Sequence, residues 1–289
     1  MARMTTTAGT LVGLGEESQF TRWAELGRRA LLSVFPVVLV LVIWDQATCL
    51  RASVCLDHPF TTPFLLPNPV TIADRIWGDV TSGDLVLNVG LTLYRAFFGF
   101  AVASVAGVAL GILIARNNWV HWFFDPIISV GFPMPKIAFL PIFMLWFGLY
   151  DTSKIALIIF DATFPVLTAT IAAAQGVDRY TLWSARMLGA SERQLLWEII
   201  VPASFPTVMT GLQIALPISL IIAIVTEMIM GGPGLGGSMI AASRFADSPG
   251  VFAGIIEIAI AGFCVVKGMA ILRKRLLIWH PEAEEPTTV

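Results

Sequence analysis

The sequence predicts an all-α membrane protein with six transmembrane helices, and three observations predict it. Hydrophobic residues make up 56% of the 289 positions and charged residues only 13%, where a soluble domain carries about 25% charge. Apolar runs recur, several reaching the roughly 20 helical residues that cross a bilayer. Lys and Arg are spread unevenly over the segments between those runs. The net charge of −2 says little by comparison, because topology follows the placement of basic residues.

Taken in order, residues 1–29 form a polar tail, and Ala30 to Thr48 is the first span. Arg28 and Arg29 precede it as they would in a secretory signal. A long mixed stretch comes first and no Ala-x-Ala site follows, so the run reads as a retained helix. Residues 49–85 lie outside. Within them Pro67-Asn68-Pro69 breaks the chain, and Thr71 to Asp74 resembles a capping box. Val70, Ile76, Trp77 and Val80 then form the apolar side of a short interfacial helix, or of a loop with one helical turn.

The core, residues 86–275, holds the other five spans. They are Val86 to Ala115, Trp122 to Leu149 broken at Pro133 and Pro135, Ser153 to Ala174, Ser204 to Met230, and Val251 to Leu272. The second span repeats a small residue every fourth position, at Gly99, Ala103, Gly107, Gly111 and Ala115. In lipid, close backbone approach favours small residues at helix contacts, so this face is a packing seam, within the chain in preference to between copies. Residues 176–203 form a large loop, and residues 276–289 a second tail.

With the N-terminus inside, the cytoplasmic segments carry Arg3, Arg22, Arg28, Arg29, Arg116, Arg179, Arg186, Arg193, Arg273, Lys274 and Arg275. The outside segments carry only Arg51, Arg75, Lys154 and Arg244. This bias puts both termini and the 176–203 loop in the cytoplasm.

That loop is sharply specified. Asp178 caps a helix running to about Leu188. Gly189 sits where a left-handed residue turns the chain. Ser191 with Gln194 makes a second capping box, and the helix that follows stops before Pro202. Leu182, Ala185, Leu188 and Leu195 give apolar faces; Arg179, Arg186, Glu192 and Arg193 give charged ones. An amphipathic hairpin packed under the bundle fits the composition equally. It leaves a glycine and two caps in so short a stretch unexplained.

Charges within spans cost about 2.5–3.5 kcal/mol each at a helix centre, so they face protein or water. Arg95 and Lys267 are placed to snorkel. Glu227 either gates the outer mouth or packs in a charge pair. Asp161 and Glu257 pair with basic residues of other spans, in a pairing sequence leaves open. Lys136 sits between Pro133 and Pro135, where a broken helix frees backbone groups. The following half-helix dipole and the ammonium both favour an anion there. Lys136 is therefore a candidate for the pathway of an anionic solute, with Glu227 and Arg95 as further pathway or gate candidates. A structural kink is the alternative.

Nothing marks catalysis or a cofactor. Cys49, Cys55 and Cys264 form no CxxC pair, and His58, His121 and His280 lie far apart. Cys49 and Cys55 share the outside segment, as free thiols or a disulfide, and Cys264 reads as core filler. The run Gly231 to Gly237 lacks the lysine of a phosphate-binding loop, and no GxxxxGK[ST] occurs. Gly231 to Gly237 reads as a flexible turn.

The spacing of Gly189, nine residues, Ile199, one residue, Val201 and Pro202 resembles the EAA loop of ABC-importer permeases. Trp183, Ser184 and Ala185 stand where that family has Glu-Ala-Ala. The nitrate/sulfonate/taurine-type branch is resembled from Leu65 to Pro281. The matching pieces include Thr92-Leu-Tyr-Arg95, Pro135-Lys-Ile-Ala-Phe-Leu-Pro141, Leu145-Trp-Phe-Gly148, Ser153-Lys154, Ala185-Arg-Met-Leu-Gly-Ala-Ser191, Gly211-Leu-Gln213, Glu227-Met228 and Gly234-Leu-Gly236.

The resemblance implies a five-helix, MetI-like permease core with one added N-terminal helix, in a bacterial inner membrane. It implies a subunit of an ATP-driven importer for a small anion such as a sulfonate or nitrate. The implied partners are ABC ATPase subunits, a periplasmic solute-binding protein, a second copy of the permease and membrane lipid, with no nucleic acid. ATP hydrolysis then belongs to the partner. The ATPase-coupling segment is Trp183, Ser184, Ala185, Arg186, Leu188, Gly189, Ala190, Ser191 and Pro202. The alternative is a stand-alone secondary transporter or channel, for which Asp161 and Glu257 are the only coupling candidates. An intramembrane enzyme is disfavoured, since His121, at a span edge, is the only membrane histidine.

Overall fold

A computed structural model describes residues 66–279 and, before them, 35, 36, 38–45 and 48. The Cys49–Cys55 question, the N-terminal tail, part of the first span and the C-terminal tail beyond residue 279 lie outside the described residues. The chain divides into two units, Met1–Ala73 and Asp74–Val289.

In the first unit, residues 38–45 are helical. The Asn68 amide donates to Asp45 Oδ1 at 2.9 Å and to Thr48 Oγ1 at 3.2 Å, and the Trp44 indole donates to the Pro67 carbonyl at 3.1 Å. Helix α1 (Pro69–Ser82) follows. Its cap differs from the expected one. Asn68 Oδ1 accepts from Val70 N at 2.8 Å, while Thr71 Oγ1 donates to the Asn68 carbonyl. Pro69 occupies the first helical position, where its missing N–H costs nothing, and this moves the helix start ahead of Thr71. Val70, Trp77 and Val80 are exposed along this helix and Ile76 is half-buried.

The second unit is a helical bundle, and no strand occurs among the described residues. α2 (Asp84–Arg116) leads through Asn117 into α3 (Asn118–Gly131). A 3-10 turn (Lys136–Phe139) opens α4 (Leu140–Phe147), and α5 spans Asp151–Gln175. Next come α6 (Arg179–Met187) and the single turn α7 (Glu192–Gln194). A π-helical stretch (Leu195–Ile200) then continues into α8 (Val201–Met230). The bundle ends with α9 (Leu235–Arg244) and α10 (Ser248–Leu276).

Four helical runs among the described residues are long and apolar enough to cross a membrane: Asp84–Arg116, Asp151–Gln175, Glu192–Arg244 and Ser248–Leu276. The pair α3 and α4 makes a fifth if it is one broken span, and it bends by 95°. The break falls at the two expected prolines, because each removes a backbone donor and crowds the preceding turn.

The small-residue seam packs within the chain, against α5. A Cβ at Gly99 meets Ile158 Cγ2 at 2.5 Å, one at Gly107 meets Val166 at 2.9 Å, and one at Gly111 meets Thr170 at 2.6 Å. α8 closes the third side, where Ala103, Ala162, Val166 and Ala215 are fully buried together. Large apolar side chains such as Val105, Ile260 and Phe263 point outward. A helix surface facing hydrocarbon takes such residues without penalty.

Two expectations about α8 and α10 need correction. The helix after Ser191 does not stop at Pro202. It widens to a π turn over Leu195–Ile200, and Val201 N reaches back to the Leu196 carbonyl. A π turn shifts the bonding ladder and leaves a slot for a residue without a donor, so Pro202 is carried inside the run. Cys264 is exposed and does not fill the core.

Candidate functional site

Two regions concentrate the polar and specified residues, one at each end of the bundle. The first is the end where α5 begins and α8 finishes. Here α2, α5 and α8 bring Arg95, Asp151 and Glu227 together. Arg95 Nη1 lies 2.5 Å from Glu227 Oε1, with Arg95 2% exposed and Glu227 0%. Arg95 Nε and Nη2 both reach Asp151 Oδ1, at 3.0 and 2.9 Å. Thr92, one turn before Arg95, donates to Glu227 Oε2 at 2.8 Å. Arg95 therefore does not snorkel, and its charge is spent inside the protein. Breaking one partner of such a buried pair costs about 3–5 kcal/mol.

The same carboxylate organises the glycine run. Gly236 N donates to Glu227 Oε2 at 3.1 Å, and Arg95 Nη1 donates to the Pro233 carbonyl at 2.8 Å. Asn88 Oδ1 accepts from Gly234 N, and Thr92 Oγ1 accepts from Leu235 N, both at 2.9 Å. Lys154, 3% exposed, donates to the Gly231 carbonyl at 3.1 Å. Gly234 has φ +133, and a Cβ there lands 2.4 Å from the Glu227 carboxyl carbon. The expected flexible turn is thus a pinned one. Its glycines admit the close approach of Glu227, and no looseness is involved. A hollow of about 490 Å³ opens over it, bordered by Tyr150, Asp151, Lys154, Gly232 and Pro233.

Asn88, Thr92, Asp151 and Lys154 had no role assigned from sequence. The available signal was a cation and an anion at matching depth on two spans, each one turn from a glycine or hydroxyl residue.

Lys136 stands at the bend between α3 and α4. Its ammonium donates to the Phe132 carbonyl at 2.7 Å, lies 3.5 Å from Asp161 Oδ1 and sits 4.8 Å from the Phe164 ring centre. Asp161 thus finds the basic partner on another helix that its depth demands. Glu257 finds none among the described bonds. Lys267 is exposed near the end of α10.

The second region is the loop between α5 and α8. Asp178 caps α6, accepting from Thr181 N at 3.0 Å and from its hydroxyl at 3.1 Å. The backbone N–H groups of Thr181 and Tyr180 hold the Asp178 carboxyl below its ordinary range. At the other end Ala190 N returns to the Ala185 carbonyl at 3.1 Å and Gly189 N to that of Arg186 at 2.9 Å. Gly189 has φ +90, with open space where a Cβ would stand. The glycine is needed for its conformation alone. Ser191 and Gln194 complete a capping box in both directions.

Leu182 and Ala185 are half-buried and Leu195 is buried, so those faces turn inward. Leu188 does not turn inward with them. It is 89% exposed and Met187 90%, with Tyr180, Trp183 and Trp197 also exposed. Ser184, Arg186 and Ser191 are exposed and Ala190 half-buried around the turn. Glu192 bridges Arg186 at 3.0 Å and Arg116, the last residue of α2, at 2.8 Å. The loop is thereby tied to the end of α2, while its apolar tip projects free.

Comparison with known proteins agrees with this architecture. The family model described as binding-protein-dependent transport system inner membrane component matches residues 107–278. The taurine transport system permease protein TauC of Escherichia coli is 31% identical, over 91% of this chain and 94% of that protein. A putative aliphatic sulfonates transport permease protein of Bacillus subtilis is 32% identical, over 76% and 80%. The riboflavin transport system permease protein RibX of Chloroflexus aurantiacus is 28% identical, over 89% and 91%. Among solved structures, a chain of the inward-facing MetNI methionine ABC transporter superposes with a TM-score of 0.51 at 17% identity. That alignment covers 66% of this chain and 98% of that one. The chain belongs to the family of inner membrane components of binding-protein-dependent transport systems, and within it to the sulfonate and taurine permease branch.

Proposed function

We propose that this permease couples to a separate ABC ATPase through the loop at residues 176–203, and that its solute is a small anion of the sulfonate class. The observation that carries the coupling is the tip at Met187 and Leu188, about nine-tenths exposed on a turn fixed by two caps and a left-handed glycine. A folded, rigid, solvent-facing apolar knob is what docks into a groove on a partner. The basic bias puts this end in the cytoplasm, with both termini, and the Gly231 end toward the periplasm. A solute-binding protein then delivers at the Gly231 end.

The Glu192 bridges to Arg186 and Arg116 give the loop a mechanical link to α2. Movement of the loop is passed along α2 to the Arg95–Glu227 lock at its far end. The packed seam between α2 and α5 makes those helices move as one body. Two copies of the chain, as a homodimer, enclose the pathway. Lys136 lies at the 95° bend between α3 and α4, and Asp161, Phe132 and Phe164 hold it at that bend. It remains the pathway candidate, while Arg95 and Glu227 serve as the lock that the pathway opens against.

The sulfonate class is supported by two relatives above 30% identity, one named for taurine transport and one for aliphatic sulfonates. ATP-dependent uptake of taurine into vesicles holding the chain with its ATPase and binding protein tests the reading. Uptake that persists without the ATPase would sink it.

A further inference from the structure

Two cavities meet at Glu257. One is a polar cleft of about 300 Å³ where α1, α2, α9 and α10 converge, bordered by Arg75, Asp79, Asp84, Asp247 and Glu257. The other is an apolar groove of about 790 Å³ along α2 and α10, walled by Val89, Leu93, Phe97, Cys264, Met269 and Leu272. Glu257 lines both. It is 7% exposed, and its Oε1 is buried without a hydrogen-bond partner. A buried carboxylate oxygen left unmet is costly, so the site is built for a donor. Arg75 does not fill that role. It is turned to Asp79 at 3.4 Å and Asp247 at 3.6 Å.

We infer that the two cavities together bind a membrane aminophospholipid, phosphatidylethanolamine. Its primary ammonium enters the acidic cleft and donates to Glu257 Oε1. Its phosphate lies by the Arg75 guanidinium, half-exposed at the mouth. One acyl chain follows the groove. From Val89 to Ala101 the groove runs along α2 for about 18 Å at 1.5 Å per residue. Half of the hydrocarbon core is about 15 Å, so a chain of one leaflet fits that length.

The alternatives each satisfy only half of the site. A soluble amine meets the carboxylates and leaves the groove empty. An anionic phospholipid fills the groove but carries no ammonium to offset its phosphate among four carboxylates and a single arginine. A choline headgroup has the charge but no N–H to give Glu257.

The test uses the full chain, purified and exchanged into vesicles of phosphatidylethanolamine, phosphatidylglycerol and phosphatidylcholine in equal parts. The protein is then re-extracted and its retained lipid quantified by mass spectrometry. Retained phosphatidylethanolamine is expected to exceed each of the others about tenfold, the equivalent of about 1.4 kcal/mol. Glu257→Gln should abolish that preference. Gly268→Phe should abolish retention, since it projects a ring into the groove from a position where a Cβ meets nothing within 4 Å. Both variants are checked for unchanged thermal unfolding of the α2–α5 bundle. Excess soluble phosphoethanolamine should not displace the lipid.

Lipid retained in bulk proportion would overturn the proposal, as would an unchanged preference in Glu257→Gln. Displacement by the soluble headgroup would replace it with a free-amine site. Cross-linking of Cys264 between copies, with no lipid retained, would show that a second copy covers the groove.

Discussion

Arg95 and Glu227, 132 residues apart in the chain, meet at 2.5 Å with both side chains out of solvent. The pair joins α2 to α8 and, through Asp151, to α5. It also fixes the glycine turn that leads into α9. The pair thus holds four segments.

Glu227→Gln leaves Arg95 buried with Asp151 as its remaining carboxylate. The loss of stability is expected to be about 3–5 kcal/mol. Arg95→Gln should cost as much. The double variant should cost clearly less than the sum, because neither leaves a lone buried charge. Thermal unfolding in detergent of the four proteins closes the cycle. Additive losses would show that the two residues act independently.

Gly234→Ala places a methyl group against the Glu227 carboxylate at a backbone angle that L residues avoid. It should destabilise by roughly 1–3 kcal/mol or more. Gly78→Ala provides the contrast. It lies inside α1 with nothing within 4 Å of the added Cβ, and should stabilise by about 0.5–1 kcal/mol. The opposite signs separate a glycine kept for close approach from one that is merely tolerated.

Much of this architecture is legible in the chain. The Gly99–Ala115 spacing reveals a seam because in lipid the helix contact itself selects small residues. Asp178, Gly189, Ser191 and Gln194 are legible because capping is local, resolved within four residues. The Arg95–Glu227 pair is not, since it depends on the relative depth and rotation of α2, α5 and α8. The Gly231–Gly237 turn misleads for the same reason: its partners Asn88 and Thr92 lie more than 130 residues away. Pro202 misleads because a proline ends an α-helix but fits a π turn.

Asp178 gives a pH signature at the loop. Its carboxyl titrates below the ordinary value of 3.8, held down by backbone donors. The cap is therefore present at pH values above 3.8 and is lost as the pH falls through the lowered value. Protection of the Tyr180 and Thr181 amides, relative to their intrinsic exchange at each pH, should be high above that range and fall below it. Asp178→Ala should be unprotected at every pH, and equal protection in the variant would exclude the cap.

Gly189→Ala should retain most ATPase binding, because the methyl group meets open space and only the backbone angle is penalised, by about 1–2 kcal/mol. Gly189→Pro cannot adopt φ +90 and should lose coupling while the spans still insert. Membrane fractionation and vesicle ATPase assays read the two steps separately. Preserved coupling in the proline variant would remove the turn from the mechanism.

The coupling role of the loop tip is tested most directly by Met187→Asp with Leu188→Asp. Both side chains are about nine-tenths exposed, so charge there leaves the bundle's packing alone. Thermal unfolding should be unchanged, while co-purification of the ATPase and ATP-dependent taurine uptake are lost together. Normal co-purification and uptake in this variant would contradict the assignment of the loop as the coupling element.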